Sequence, residues 1–315
     1  MFPGFSISLQ RVLSICSCME QISVRENALS ILAPAKINLS LLIAGRRPDG
    51  FHEVETLMAK VDWYDEILIQ PGREAAVELI CEGPYWAPAE RENLVYRAAQ
   101  QLLESSGSRA DVSITLRKNI PAGTGLGSAS SDAAATLMGL NQYLGAGLSK
   151  KHLSALAAEL GSDVCFFLNG PLAFCTGKGE KIEKIHDNFE FLAVLIVPNL
   201  SVSTKTVYDN YSHDAALYAK LSAQINRYIK KKRIDLAVRM CANMLQESCF
   251  DLVKSLAELR EKVKSLGVGP CCLSGSGSAM FCVIESGNEQ KAVECKRKIE
   301  DETGCMSIVV RNNRW

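Results

Sequence analysis

The order of apolar and polar positions divides the chain into elements. "KINLSLLIAG", residues 36–45, alternates polar and apolar positions at its start and predicts a strand. "RRPDG", 46–50, is a turn signal, and "FHEVETLMAKVDWYDEILIQPG" after it predicts one or two further strands, with "AVELIC" adding another. Leu94, Ala98 and Leu102 have helical spacing, which predicts a helix over 93–105 ending near Gly107. "DVSITLRKNIP" predicts a strand that runs into a glycine-rich loop. Two helices follow, over 131–144 and 149–160, the second stopping at Gly161.

Beyond that point "DVCFFL", "PLAFCTG" and "KIEKI" predict short strands. "FLAVLIVP" is a continuous apolar run closed by proline, as for a buried strand. Helical spacing dominates from about 204 to 266. The chain ends with "CCLSGSGSAMFCVI", a helix near 290–303 and a strand "MSIVVR". Strands and helices in both halves predict an α+β fold of two domains, 29–185 and 186–315, with the boundary near Ile185.

Residues 1–28 read differently. They hold no acidic residue before Glu20, and Arg11 is the one basic residue in that stretch. A signal peptide needs a basic start and a longer apolar centre, an organelle transit peptide has weak support, and an internal start at Met19 explains the segment at least as well. This extension is therefore expected to lie outside the fold.

Composition narrows the function classes. In 315 residues, 47% are hydrophobic and 22% charged, values of a globular protein with real cores. Lys plus Arg equals Asp plus Glu, so no basic excess points to nucleic acid or to an anionic membrane, and no protein partner is implied. Twelve cysteines include no C-x-x-C pair, and several sit inside apolar runs, where cysteine behaves as a small hydrophobe. Reduced thiols in a cytoplasmic, bacterial protein are the expectation, and no resident metal site is expected.

The glycine-rich loop changes the picture most. "PAGTGLGSASSDAAATL" sets bare backbone immediately before a helix N-terminus. Glycine lets the main chain approach a ligand, and the first N–H groups of a helix lack partners and carry the positive end of its dipole. Both suit an anion, phosphate above all. The plainer alternative is a loop before a helix capped by Ser130, Ser131 or Asp132. The loop fails the dinucleotide G-x-G-x-x-G pattern, and neither a P-loop nor protein-kinase segments occur. A second loop, "LSGSGS" at 273–278, lies far along the chain; as an isolated feature it reads as a tight turn, and the alternative is that the two small-residue loops face one another across a domain cleft.

Three segments in order, "APAKINLSLLI", "PAGTGLGSASSDAA" and "LSGSGSAMF", resemble the three motifs of the GHMP kinases and span residues 33–281. That resemblance implies the two-domain GHMP kinase fold with the active site in the cleft between domains. ATP is then the cosubstrate with Mg²⁺ accompanying it, and a small molecule is the acceptor. "RRPDGFHEVETL" and "LGSDVCFF" are similar to the branch that phosphorylates a hydroxyl of a cytidylyl-linked polyol on the non-mevalonate route to isoprenoids.

Carried over position by position, the resemblance implies Lys36 and Asp163 as the catalytic pair. ATP falls to Pro121, Ala122, Gly123, Thr124, Gly125, Leu126, Gly127, Ser128, Ala129, Ser130 and Ser131, with Asn93, Lys118, Gly275 and Gly277. The acceptor falls to Asn38, Phe51, His52, Thr204 and Tyr208, with Phe51 and Tyr208 sandwiching a cytosine. As residues alone, Lys36 suits a snorkelling lysine, Asp163 a turn aspartate, Asn93 and Lys118 a cap or a surface position, and Phe51 and Tyr208 core packing. Phe51 replaces the family's frequent tyrosine, and Ala129 departs from its loop pattern. A GHMP enzyme with another acceptor, and a non-catalytic nucleotide-binding regulator, are the rival readings; the second is expected to have lost Lys36 or Asp163, and both are here.

Overall fold

The computed structural model describes residues 20–25, 27–73, 76–186, 189–313 and 315. Two long antiparallel strands, β2 (Ala28–Arg46) and β3 (His52–Pro71), form its spine and are joined by the turn at 47–51. The turn closes through the Arg47 amide donating to the Phe51 carbonyl and the Gly50 amide donating to the Arg47 carbonyl. Around the spine stand β1 (Ile22–Arg25), β4 (Val77–Glu82), β5 (Val112–Arg117), β6 (Leu172–Gly177) and β7 (Lys181–Lys184), in the order β1-β2-β3-β5-β4, with β6 on the other half of β3 and β7 on β6. Only β4–β5 is parallel among these pairings.

The burial of β2 changes along its length. It alternates from Ala28 to Leu32 and is then buried continuously from Ala33 to Ile43. One strand serves three apolar clusters: Leu29 and Ile31 pack under the helices of the first half, Ala35, Ile37 and Leu39 lie in the middle, and Leu41 and Ile43 join the second half. A strand covered on both faces has no reason to alternate.

The helices of the first half are α1 (Leu94–Ser106), α2 (Ser128–Tyr143), α3 (Lys150–Leu160) and α4 (Val164–Phe167). The second half has a four-stranded antiparallel sheet, ordered β11-β8-β10-β9, from β8 (Phe191–Val197), β9 (Cys271–Leu273), β10 (Met280–Glu285) and β11 (Met306–Arg311). Helices α5 (Thr204–Asp209), α6 (Ala215–Lys230), α7 (Ile234–Arg239), α8 (Gln246–Leu252), α9 (Lys254–Ser265) and α10 (Glu289–Thr303) complete it.

Four expectations are corrected. "DVCFFL" forms the short helix α4, not a strand, because an unbroken apolar run carries no period that separates the two. Helix α2 begins at Ser128 with Gly127 at its N-cap, so Ser130, Ser131 and Asp132 lie inside the helix instead of capping it. Residues 1–19 of the extension lie outside the described residues, but Ile22–Arg25 pairs antiparallel with β2 and belongs to the sheet. Finally, Cys241 and Cys272 form a disulfide with Cα atoms 5.3 Å apart, where reduced thiols were expected. Among the described residues eight other cysteines are free, and no helix is long and apolar enough to cross a membrane.

Candidate active site

The first glycine loop turns three times in left-handed backbone, at Gly123 (φ 71°), Gly125 (φ 80°) and Gly127 (φ 70°), and delivers the chain to the N-terminus of α2. A β-carbon on Gly125 would lie 2.1 Å from the Ser274 carbonyl oxygen, so no other residue fits there. The second loop packs against the first: the Ala279 amide donates to the Thr124 carbonyl at 2.9 Å, and the Ser274 hydroxyl donates to the Gly125 carbonyl at 2.9 Å. Gly275 faces Gly125 and Asn38, while Gly277 packs on Cys249 and Leu273. The "LSGSGS" segment is therefore a brace for the first loop, more than the isolated turn its sequence suggests.

Lys36 rises from β2 beneath this loop and is buried. Its amide donates to the Leu126 carbonyl, and its ammonium donates to Asn38 Oδ1 at 2.5 Å and to the Gly125 carbonyl at 2.9 Å. Asp163 Oδ2 stands 3.6 Å from the same ammonium. Burial pushes the Lys36 pKa down from 10.5, and the neighbouring Asp163 carboxylate opposes that shift. Asp163 is held at the N-terminal end of α4 and remains about a third exposed (36%), facing a cleft. Asn38 is fixed by donating to Thr56 Oγ1 at 2.8 Å, and its own amide donates to Ser274 Oγ. A buried ammonium beside a solvent-facing carboxylate, under the glycine loop, suits proton removal next to an anion.

Asn93 and Lys118, expected at the nucleotide, both make hydrogen bonds within the scaffold. Asn93 caps α1, accepting from the Val95 amide and donating to the Pro88 carbonyl at 2.7 Å. Lys118 is buried between two carboxylates, 2.5 Å from Asp65 Oδ2 and 2.6 Å from Asp132 Oδ2. Asp65 Oδ1 in turn accepts from the amides of Asn119 and Ile120, which fixes the root of the glycine loop. Burial pushes the Asp132 carboxyl up to about 8. The hydroxyls of Ser128 and Ser131, in the first turn of α2, are buried without a hydrogen-bond partner.

The cleft beside Asp163 has a volume of about 880 Å³ and gathers Phe51, His52, Ser130, Thr204 and Tyr208 from separate segments. Phe51 is 55% exposed, unusual for its type, and the Lys178 ammonium lies 4.6 Å from the centre of its ring. The His52 ring packs against Tyr208 at 5.1 Å and, edge-on, against Tyr211 at 6.0 Å. Burial, and then the charge of Arg46, lower the His52 pKa from 6.5. Thr204 Oγ1 and Ser276 Oγ share a hydrogen bond of 2.9 Å that ties α5 to the second loop. The sequence reading missed Tyr211 and Lys178, which also line the cleft. Tyr211 follows the recognised Tyr208 by three residues, just past the end of α5, a usable signal; Lys178 stands in the β6–β7 turn, with no local mark.

Comparison with known proteins agrees with this geometry. The GHMP kinases N terminal domain matches residues 93–171, and the GHMP kinases C terminal domain matches 225–300. A 4-diphosphocytidyl-2-C-methyl-D-erythritol kinase of Geobacillus kaustophilus is 37% identical over 266 residues, 84% of this chain and 91% of the relative. One from Bacillus cereus strain B4264 is 36% identical over 81% of this chain and 88% of its own length. A crystal structure of 4-(cytidine 5'-diphospho)-2C-methyl-D-erythritol kinase superposes with a TM-score of 0.70 at 32% identity, covering 90% of this chain and 99% of that one. Homoserine kinase from Cytophaga hutchinsonii, with TM-score 0.73 and 20% identity over 93% and 96% of the two chains, shares the fold. With both halves of the motif order and most of the length matched, the chain belongs to the GHMP kinases and, within them, to the 4-diphosphocytidyl-2-C-methyl-D-erythritol kinase family.

Proposed function

We propose that Lys36, Asp163 and the two glycine loops carry out ATP-dependent phosphorylation of the C2 hydroxyl of 4-diphosphocytidyl-2-C-methyl-D-erythritol, a step of the non-mevalonate route to isoprenoid precursors. The observation that carries this reading is the 3.6 Å approach of Asp163 to a buried Lys36 that also holds the Gly125 carbonyl of the first loop. The cleft lies between the sheet of residues 29–185 and the helices of 186–315, which we take as the two domains.

In this reading the amides of residues 122–127 and the first turn of α2 bind the triphosphate. Asp163 accepts the proton as the O–H bond of the acceptor breaks. The freed oxygen forms its bond to the γ-phosphorus, the bond from that phosphorus to the bridging oxygen breaks, and ADP leaves. Lys36 offsets negative charge on the reacting oxygens, and positioning supplies most of the remaining rate. Mg²⁺, when bound with ATP, neutralises charge on the phosphates; the partnerless hydroxyls of Ser128 and Ser131 are oxygen donors of the kind it accepts. Phe51, His52 and Tyr208 hold the cytosine, Lys178 and Tyr211 extend that wall, and Asn38 and Thr204 face the polyol. We take the cytoplasm as the compartment and a small-molecule acceptor as the one partner.

ADP release with ATP and the cytidylyl substrate, set against homoserine, mevalonate and galactose, tests this reading. Turnover with the cytidylyl substrate alone, lost in Asp163→Asn, is the expected result. Turnover with one of the others instead would move the enzyme elsewhere in its family.

A further inference from the structure

Lys60 is one of the largest fully buried side chains of the protein, 1% exposed, and the mechanism above does not use it. It lies on β3 directly opposite Lys36 on β2, as a registered antiparallel pair, so both side chains leave the same face of the sheet. Like charges so placed repel unless each finds acceptors of its own. The two lysines find them at opposite ends of one short element. Lys36 reaches Asp163, the residue before α4, whereas the Lys60 ammonium donates to the carbonyls of Phe167 at 3.0 Å and Asn169 at 2.7 Å, where α4 ends.

The end of α4 is tied further. The Lys60 amide donates to the Pro171 carbonyl at 2.8 Å, and Asn169 Nδ2 turns back to the Cys165 carbonyl at 2.7 Å. A β-carbon on Gly127 would strike Lys36 at 2.9 Å and Phe167 at 3.0 Å, so α4 as well as Lys36 packs against the glycine loop. A methionine could fill the same volume without burying a charge. The charges acting on Lys60 are the like charges of Lys150 and Lys184, and burial lowers its pKa to about 7. A lysine buried under those conditions has a task in its hydrogen bonds.

We propose that Lys60 is a positioning residue for Asp163: by holding the C-terminal end of α4 it sets the Asp163 carboxylate at its distance from Lys36 and the reacting hydroxyl. The proposal rests on Asp163 being the base. Lys60 touches neither substrate, so its effect falls on turnover and not on binding.

The test compares Lys60→Met, Asp163→Asn and the double variant by ADP release, with thermal unfolding read alongside. The expected result is a fall in kcat of about tenfold or more in Lys60→Met, as small misplacements of reacting groups produce, with KM for ATP and for the acceptor each kept within about threefold. On the Asp163→Asn background the same change adds nothing to the loss. Where Lys60→Met does not fold, Lys60→Gln, which keeps one amide donor, is read in the same way. An unchanged kcat in Lys60→Met, with Asp163→Asn reduced to a small residual turnover on which the double variant is read, overturns the proposal alone. So does an equal loss on both backgrounds, which marks a purely structural role. An active Asp163→Asn overturns the base assignment and the proposal with it.

Discussion

The carbonyl oxygen of Ser274 occupies the space where a β-carbon on Gly125 would stand, 2.1 Å from it, so the two glycine loops touch backbone to backbone across 149 residues of sequence. Because Gly125 also has φ of 80°, Gly125→Ala meets both a collision and a strained backbone. We expect the variant to raise KM for ATP by about tenfold or more, the effect of losing roughly 1.4 kcal/mol of binding, with KM for the acceptor nearly unchanged. Gly170→Ala, where nothing lies within 4 Å, is the control and should behave as wild type.

The two carboxylates on Lys118 should respond differently to neutralisation. Asp65 accepts two loop amides as well as the ammonium, and Asp65→Asn breaks a buried pair, an expected loss of about 3 kcal/mol or more. Asp132, raised from 3.8 to about 8, keeps in the folded state a proton that the unfolded chain releases. Its contribution to stability is complete below pH 3.8 and declines as the pH rises through about 8. Asp132→Asn should therefore cost little near neutrality and flatten that decline, which urea unfolding across the pH range would read. A steeper decline in the variant would contradict the assignment.

Acceptor recognition should separate from nucleotide recognition. Phe51→Ala and Tyr208→Ala each remove a ring from the cleft, and one base stack is worth about 1–3 kcal/mol. We expect KM for the cytidylyl acceptor to rise about tenfold to a hundredfold while KM for ATP stays constant. The lowered pKa of His52 keeps its ring neutral at pH 7, so acceptor affinity should weaken as the pH falls below 6.5, and His52→Ala should abolish that dependence.

The Cys241–Cys272 bond closes a segment with a sequence separation of 31. A loop of that length is worth about 3–4 kcal/mol against the unfolded chain. Reduction by dithiothreitol should lower stability by that order, and a Cys241→Ser/Cys272→Ser variant should no longer respond to it. Alkylation of unreduced protein followed by mass spectrometry should leave these two cysteines unmodified.

Much of the site was legible in the chain because its parts are local. A glycine loop before a helix, an aspartate after a helix-ending glycine and an aromatic–histidine pair after a turn each occupy a few consecutive residues, and their order carried the family. For Lys118 and Asn93 a motif position says nothing of burial: only the fold shows Lys118 paired with Asp132 and Asp65, and Asn93 bonded to Pro88 and Val95. Lys60 and Lys178 left no local mark, since their meaning lies in what faces them across the sheet or the cleft.

By itself the sequence determined the alternation of strands and helices, the backbone freedom of the loops and the residue types available for chemistry, because these follow from φ/ψ preference, hydrophobic period and side-chain pKa. The tertiary structure alone decided that "SGSGS" braces the first loop, that one strand serves three cores, that "DVCFFL" is a helix held at both ends by lysines, and that two cysteines far apart in sequence meet. Those outcomes depend on which surfaces are removed from water together. No stretch of chain read in isolation contains that information.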